Sequence, residues 1–510
     1  MPTPRSRDDT PLPNSPPNSV NDKELKPGTM NPTPTSKKSS RPHSVLSRAR
    51  TVSAHSQPPS QTGAADGTQG EMDVTPEPQT SPEPCSRFAR LQVAPLTEFE
   101  LLELAYEQDT SPNKTFLASG NFYKDDGTPW SLPVIRTVEA QMAEDLTLNK
   151  EYTKPNNGLK AFTDAATRML FGDDSPAILE NRIGTFHTPG GTSALYVGLL
   201  VLRNVYGFTD LHIPYPTRGK YEAIVEGMGF DIKYYKYLDE DSQLFDTEAF
   251  LDALETAEQQ SIFIIVADSP SGPTSDGWDA ITKVMWTRHL LPFFHISTQG
   301  LATGNVWLDT YPVRHFGKEA MGLDMMVAQS FSKTFGLSGE RVGCLHLVGQ
   351  SRESGVSISA ITDSLITDMW MYAPGHGSRV IATIINNAAL RAEWKDHVKT
   401  MSDRIRLMRH LLYQKMLANG TLWKHLTSQS GLFSTTDFTE SQITSLRENH
   451  HIYMETHGFF NMSCLRTSTV DYVARCFHEA VQAREDMEEE MARQMEDDRR
   501  GGASGASSQS

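Results

Sequence analysis

Ser330-Phe331-Ser332-Lys333-Thr334-Phe335-Gly336-Leu337-Ser338-Gly339-Glu340-Arg341-Val342-Gly343 is the stretch on which the reading of this chain turns. It follows a short apolar run, Met325-Met326-Val327-Ala328, which has the length and composition of a buried strand. A lysine at the mouth of such a strand is partly desolvated. Desolvation disfavours the ammonium form and makes a neutral, nucleophilic amine available. An arginine eight residues further on can return to the same pocket as a two-pronged phosphate ligand. The glycines between them supply the tight turns such a return requires.

Moving outward, Thr188-Pro189-Gly190-Gly191-Thr192-Ser193 precedes the helix expected over Ala194–Val205. Small residues there let backbone N–H groups and a helix N-terminus approach an anion. Asp268-Ser269-Pro270-Ser271-Gly272-Pro273 forms a tight turn directly after a second apolar run, Ile262–Ala267. Further strand-like runs occur at Leu211–Pro214, Ile232–Tyr235 and Leu291–His295. Amphipathic stretches separate them, at Tyr221–Met228, Thr247–Ala257 and Trp278–Arg288. Apolar strands alternating with helices imply an α/β fold around a mostly parallel sheet. Trp394–Met416 reads as a long charged helix. A smaller α+β segment follows it, with strands at Leu432–Ser434 and His451–Tyr453 and a closing helix over Asp471–Met491.

Composition limits the rest. The chain has 510 residues and a net charge of −16, which argues against a general nucleic-acid partner. Cys85, Cys344, Cys464 and Cys476 show neither a CxxC spacing nor a paired histidine pattern. That speaks against a disulfide framework or a metal site and for a reducing compartment. The longest apolar run, Ala194–Leu202, is too short for a membrane span, and no secretory h-region precedes it, so the expected location is the cytoplasm. Residues 1–86 are rich in Pro, Ser, Thr, Asn and Gln and are expected to be disordered. Arg50–Ser53 and Thr80–Pro82 within them fit kinase sites, against the competing reading of ordinary linker.

In their order and wording these segments resemble the aspartate aminotransferase family, the class I and II aminotransferases of pyridoxal-phosphate fold type I. The segments that carry the likeness are Trp130–Arg136, Asn149–Tyr152, Gly191–Leu195, Tyr234–Tyr237, Gln299-Gly300, Ser330–Gly343 and a Pro374–Gly377 loop. The resemblance implies a large domain over 131–395, with a seven-stranded, mostly parallel sheet between helices. It implies a smaller α+β domain over 396–490, joined by an arm over 87–130, and leaves 491–510 as a disordered tail.

The resemblance further implies pyridoxal 5′-phosphate as cofactor and an amino acid and a 2-oxo acid as substrates. Lys333 corresponds to the lysine that holds the cofactor. Arg341, Ser330, Gly191 and Thr192 correspond to its phosphate ligands. Tyr152 corresponds to the tyrosine that reaches the phosphate of the neighbouring subunit, which implies a homodimer.

The departures are equally specific. The family's aspartate at the pyridine nitrogen is His295 here. Its tyrosine and asparagine at the 3-oxygen are Thr298 and Ser269. Its ring-stacking tryptophan is Arg218, and its two substrate-carboxylate arginines fall at Thr367 and Phe459. Without those arginines a dicarboxylic substrate loses its anchors. Arg218 and Lys220 are the candidate replacement cations, against the reading that they face solvent or a phosphate, and Trp370 is the aromatic residue near the expected substrate position, against the reading that it is core. An aspartate–pyridinium pair stabilises charge more than a neutral histidine contact does. Three readings therefore stay open: an aminotransferase with a changed substrate, a pyridoxal-phosphate enzyme of another reaction type, and a catalytically impaired relative. Ser330-Phe331-Ser332-Lys333 also fits the S-x-x-K of serine hydrolases, but the S-D-N and K-T-G elements of that class do not occur.

Overall fold

The computed structural model describes residues 95–152, 155–218, 221–267, 272–319 and 323–505. The expected tail over 1–86, its two kinase-type motifs, Lys220 and Ser269 lie outside the described residues.

The chain enters through α1 (Glu98–Gln108), started by a Thr97/Glu100 capping box, and a short strand β1 (Thr115–Phe116). Three helices follow, α2 (Pro133–Glu144), α3 (Lys160–Phe171) and α4 (Pro176–Leu179). Then comes the alternating core: β2 (Ile183–Pro189), α5 (Gly191–Asn204), β3 (Asp210–Tyr215), α6 (Tyr221–Val225), β4 (Asp231–Lys236), α7 (Thr247–Thr256) and β5 (Ile262–Val266). It continues through α8 (Ser275–Thr287), β6 (Leu291–Ile296), α9 (Tyr311–Glu319), β7 (Met325–Ser330) and β8 (Val342–Val348). The C-terminal part comprises α10 (Arg352–Met369), α11 (Gly375–Asn386), α12 (Ala388–Asn419), α13 (His425–Ser428), β9 (Phe433–Ser434), α14 (Glu440–His450), β10 (Ile452–Tyr453), β11 (Phe460–Asn461) and α15 (Val470–Gly505).

Seven strands form one sheet in the order β2-β8-β7-β6-β5-β3-β4. Only β8 runs against its neighbours, so the sheet is mostly parallel, as expected. Period-two alternation sends neighbouring residues of a strand to opposite faces. On β6, Phe293 packs with Leu195 and Leu199 of α5, while Phe294 packs with Trp278 of α8 and Phe316 of α9. Gly198 lets α5 approach that closely, because a Cβ there would lie 2.5 Å from the Phe293 ring.

A buried polar chain runs through the sheet. Gln329 donates to Gln299 at 2.7 Å, and its side-chain oxygen meets His346 Nε2 at 3.0 Å. His346 Nδ1 meets Thr185 at 3.0 Å. Satisfied networks of this kind fix strand register as well as contributing stability.

Two expectations from sequence are corrected. The Pro374–Gly377 loop is a helix start, with Pro374 capping α11, whose fixed φ suits the entry. The tail expected from 491 is helical as far as Gly505. Glu488–Met495 is built of helix formers, and Arg493 pairs with Glu489 at 2.9 Å across one turn.

Candidate active site

The carboxyl ends of β3, β5, β6 and β7 open into a cavity of about 400 Å³. Open parallel sheets bind ligands at this edge. One wall is an anion cradle. Gly190 takes φ 88° between β2 and α5, and α5 starts without a side-chain cap, which leaves its first N–H groups directed at the cavity mouth. A Cβ on Gly190 would fall 2.3 Å from Arg341 Nη2, so the guanidinium rests directly on the turn. A Cβ on Gly191 would fall 3.0 Å from Ser330 Cβ. Arg341 adopts the left-handed φ of 54°, and its Nη1 donates to the Ser338 carbonyl at 2.9 Å. Thr192 completes the wall.

Lys333 is presented by its neighbours. Phe331 and Phe335 are fully buried, and Phe335 stacks on Trp394 at 4.5 Å. Thr334 donates to the Gln299 carbonyl at 2.9 Å. With both phenylalanines and the threonine committed to the interior, Lys333 is left to line the cavity. Gly120 closes over it. A methyl group there would stand 4.0 Å from Lys333 Cε and 4.0 Å from Arg218 Nη1.

Several departures line the same cavity. His295, at the end of β6, lines the cavity, and its Nδ1 lies 3.0 Å from the buried Tyr221 hydroxyl. Arg218 is held by Glu455 at 2.7 Å and by the Ala118 carbonyl at 2.6 Å. Phe433 and Phe459 add apolar surface.

Of the residues expected at a site, the structure brings Lys333, Arg341, Ser330, Gly191, Thr192, His295 and Arg218 to one cavity. It places Thr298, Trp370 and Tyr152 elsewhere. Thr298 is 2% exposed and is not among the lining residues; its neighbour Ser297 is. Trp370 caps α10 and packs against the core cluster beneath α5. Tyr152 is 71% exposed and stacks on Tyr372 at 4.9 Å, outside the cavity of its own chain. Sequence reasoning missed Tyr221, Phe433 and Glu455, which come from separate elements with no motif to announce them.

A mostly parallel α/β sheet with a lysine beside an anion cradle defines the class, and the chain belongs to the aminotransferase class I and II family, whose model matches residues 112–476. The chain is 39% identical to the cytoplasmic aspartate aminotransferase of Gallus gallus over 408 residues, 78% of this chain and 98% of that one. Its fold is similar to an aromatic-amino-acid aminotransferase from Burkholderia pseudomallei covalently bound to pyridoxal phosphate. The TM-score is 0.74 at 30% identity, covering 78% of this chain and 99% of that one. It is likewise similar to the cytoplasmic aspartate aminotransferase of Saccharomyces cerevisiae, with a TM-score of 0.74 at 29% identity, covering 78% and 98%.

Pyridoxal 5′-phosphate is the cofactor of this family. The residues present fit it: the uncapped turn, Ser330, Thr192 and Arg341 match a phosphate, and Lys333 supplies the amine for its aldehyde.

Proposed function

We propose that this chain is a pyridoxal-phosphate-dependent aminotransferase that moves an amino group between a monocarboxylic amino acid, aromatic or apolar, and a 2-oxo acid. The carrying observation is that Lys333 shares one cavity with the Gly190–Arg341 cradle. When bound, the cofactor accepts electron density from the substrate α-carbon. Arg341, Ser330, Thr192 and the start of α5 hold its phosphate end. Lys333 Nζ carries a proton to and from the substrate carbon. Arg218 is the cation at hand for the substrate carboxylate, and Phe433 and Phe459 form an apolar wall against its side chain.

The substrate class rests on that wall. Phe459 stands where the resemblance puts one arginine and Thr367 where it puts the other. Thr367 receives a hydrogen bond from Asn156 at 2.8 Å and donates to the Asp363 carbonyl at 2.7 Å. Several structural relatives are named as aromatic aminotransferases. A homodimer, with the exposed Tyr152 reaching the partner's cradle, belongs to the same reading. So does a cytoplasmic location, supported by the names of several relatives. No helix among the described residues is long and apolar enough to cross a membrane. His295 favours a second reading, a relative with weakened carbon-acid chemistry.

Absorption spectroscopy of the full chain with pyridoxal phosphate tests both. The proposal requires a visible band that Lys333→Ala abolishes. It also requires faster spectral change with phenylalanine or leucine than with aspartate, followed by turnover with a 2-oxo acid. A band that no amino acid shifts would leave the second reading.

A further inference from the structure

We infer that His450, Cys476 and Glu479 form a zinc-type metal site that clips the end of α14 to α15, apart from the cavity that Lys333 lines. It goes beyond the proposed function and does not depend on it.

An imidazole nitrogen of His450, the Cys476 sulfur and a Glu479 carboxylate oxygen all lie within 4.8 Å of one another. His450 Nδ1 stands 3.7 Å from Glu479 Oε2, too far for a good hydrogen bond. Two ligands of a tetrahedral zinc, each about 2.0–2.2 Å from the ion, stand roughly 3.3–3.6 Å apart. The pair is thus closer to the spacing of metal ligands than to a direct contact. The Glu479 side chain is mostly exposed, so it can swing the remaining distance and leaves the ion a way in from solvent.

The backbone beneath these side chains is fixed. Cys476 and Glu479 are three residues apart on α15 and so share a face. His450 is the last residue of α14. Tyr472 donates to the His450 carbonyl at 2.8 Å, and Gln442 donates to the Ala480 carbonyl at 2.7 Å, which ties the two helices together. Ile443 and Leu446 of α14 and Phe477 of α15 are buried in one core cluster. Ligands carried on packed helices are held more closely than ligands on loops.

The chemistry of the three groups selects the ion. Imidazole, thiolate and carboxylate together suit zinc, whereas calcium and magnesium take oxygen ligands. A divalent ion with one thiolate and one carboxylate is neutral overall. Burial raises the Cys476 thiol, so it is protonated before the metal arrives, and the proton passes to solvent as the sulfur binds. The C-terminal end of α14 carries partial negative charge, which favours a cation there. The neighbouring cation Arg475 is exposed, where water and salt screen it. Three protein ligands leave a fourth position for water. No cysteine motif announces the site, because its ligands come from two separate helices.

Zinc titration of the full chain, after dialysis against a chelator, tests the inference. Zinc is expected to bind at one ion per chain and to raise the melting midpoint. X-ray absorption at the zinc edge is expected to show one sulfur at about 2.3 Å beside nitrogen and oxygen at about 2.0–2.2 Å. Cys476→Ser, His450→Gln and Glu479→Gln are each expected to weaken zinc binding roughly a hundredfold and to abolish the rise in melting midpoint. A chain that binds no zinc, a zinc edge without sulfur, or an affinity unchanged in these variants overturns the inference and leaves the proposed function standing. Should Cys476→Ser not fold, the variants at the more exposed His450 and Glu479 and the sulfur signal of the native chain decide the matter.

Discussion

The guanidinium of Arg218 lies over the ring of Phe433, 4.0 Å from its centroid, and is tied at its other edge to Glu455. Phe433 is itself held from below, because the buried Arg409 donates to its carbonyl at 3.0 Å and to that of Gly431 at 2.9 Å. The cation at the cavity is therefore built on a braced strand rather than on a loose loop. A charge-assisted hydrogen bond to a substrate carboxylate is worth about 1.5–3 kcal/mol. At about 1.4 kcal/mol per tenfold, Arg218→Ala should lower kcat/KM by roughly ten- to a hundredfold. The visible cofactor band should persist in that variant. Arg218→Lys should recover only part of the loss, since an ammonium cannot both stack on Phe433 and bridge to Glu455. Steady-state kinetics alongside absorption spectra would check this, and an unchanged kcat/KM in Arg218→Ala would remove Arg218 from substrate binding.

Gly190 offers a sharper test of the cradle. Its φ of 88° disfavours any side chain, and a methyl group would enter the Arg341 guanidinium at 2.3 Å. Backbone strain of this kind costs about 1–3 kcal/mol. Gly190→Ala should lower the unfolding midpoint and, by pushing Arg341 off the turn, weaken pyridoxal phosphate binding at least tenfold. Fluorescence titration with pyridoxal phosphate, run beside a thermal melt, separates the two effects. Wild-type affinity in this variant would mean that Arg341 does not hold the phosphate.

What could be read from sequence follows from which residues carry local information. The apolar runs that became β3, β5, β6 and β7 are continuous because both faces of a parallel sheet are buried. The lysine block is legible because its glycines and its arginine lie within fourteen residues of chain. β2 and β8 were not anticipated. They carry Thr185 and His346, whose polar atoms serve the interior network, and the buried His187, so no alternation appears. Tyr221 and His295 are 74 residues apart and meet only because β3 and β6 end at the same edge. Trp370, expected near the substrate from its place in the chain, is partly buried against the cluster that includes α5 and is not among the residues lining the cavity.

Buried histidines give the protein a defined response to acid. Burial lowers His187 to about 4, His212 to about 4, His425 to about 4 and His346 to about 3. In the unfolded chain each titrates near 6.5. Below that value the unfolded state binds protons that the folded state refuses, so stability is intact above about pH 6.5 and falls as the pH drops toward 4. The slope is at most about 1.4 kcal/mol per pH unit for each histidine. Urea midpoints at pH 7, 6 and 5 should therefore fall progressively. His212 stacks on Phe263 at 4.1 Å, and its buried Nε2 has no hydrogen-bond partner. His212→Phe should accordingly flatten the slope with little loss at pH 7. A midpoint independent of pH over this range would contradict the burial argument.

Tyr152 tests the proposed dimer without a structure of it. The side chain is 71% exposed, lies against Tyr372 and is outside the cavity that holds Lys333 of its own chain. If it serves the partner's phosphate, Tyr152→Ala and Lys333→Ala each cripple every site when made alone. Co-expressed, the two variants form hybrids in which one site takes Lys333 from one protomer and Tyr152 from the other, both intact. Activity should then reappear in the mixture, well above the sum of the two variants measured apart. Were Tyr152 to act within its own chain, every site with an intact lysine would still lack the tyrosine, and mixing would restore nothing. Because the ring is mostly in solvent, its removal should cost little stability, within about 0.5 kcal/mol for an exposed position. Loss of activity in Tyr152→Ala at an unchanged melting temperature would thus report the site and not the fold.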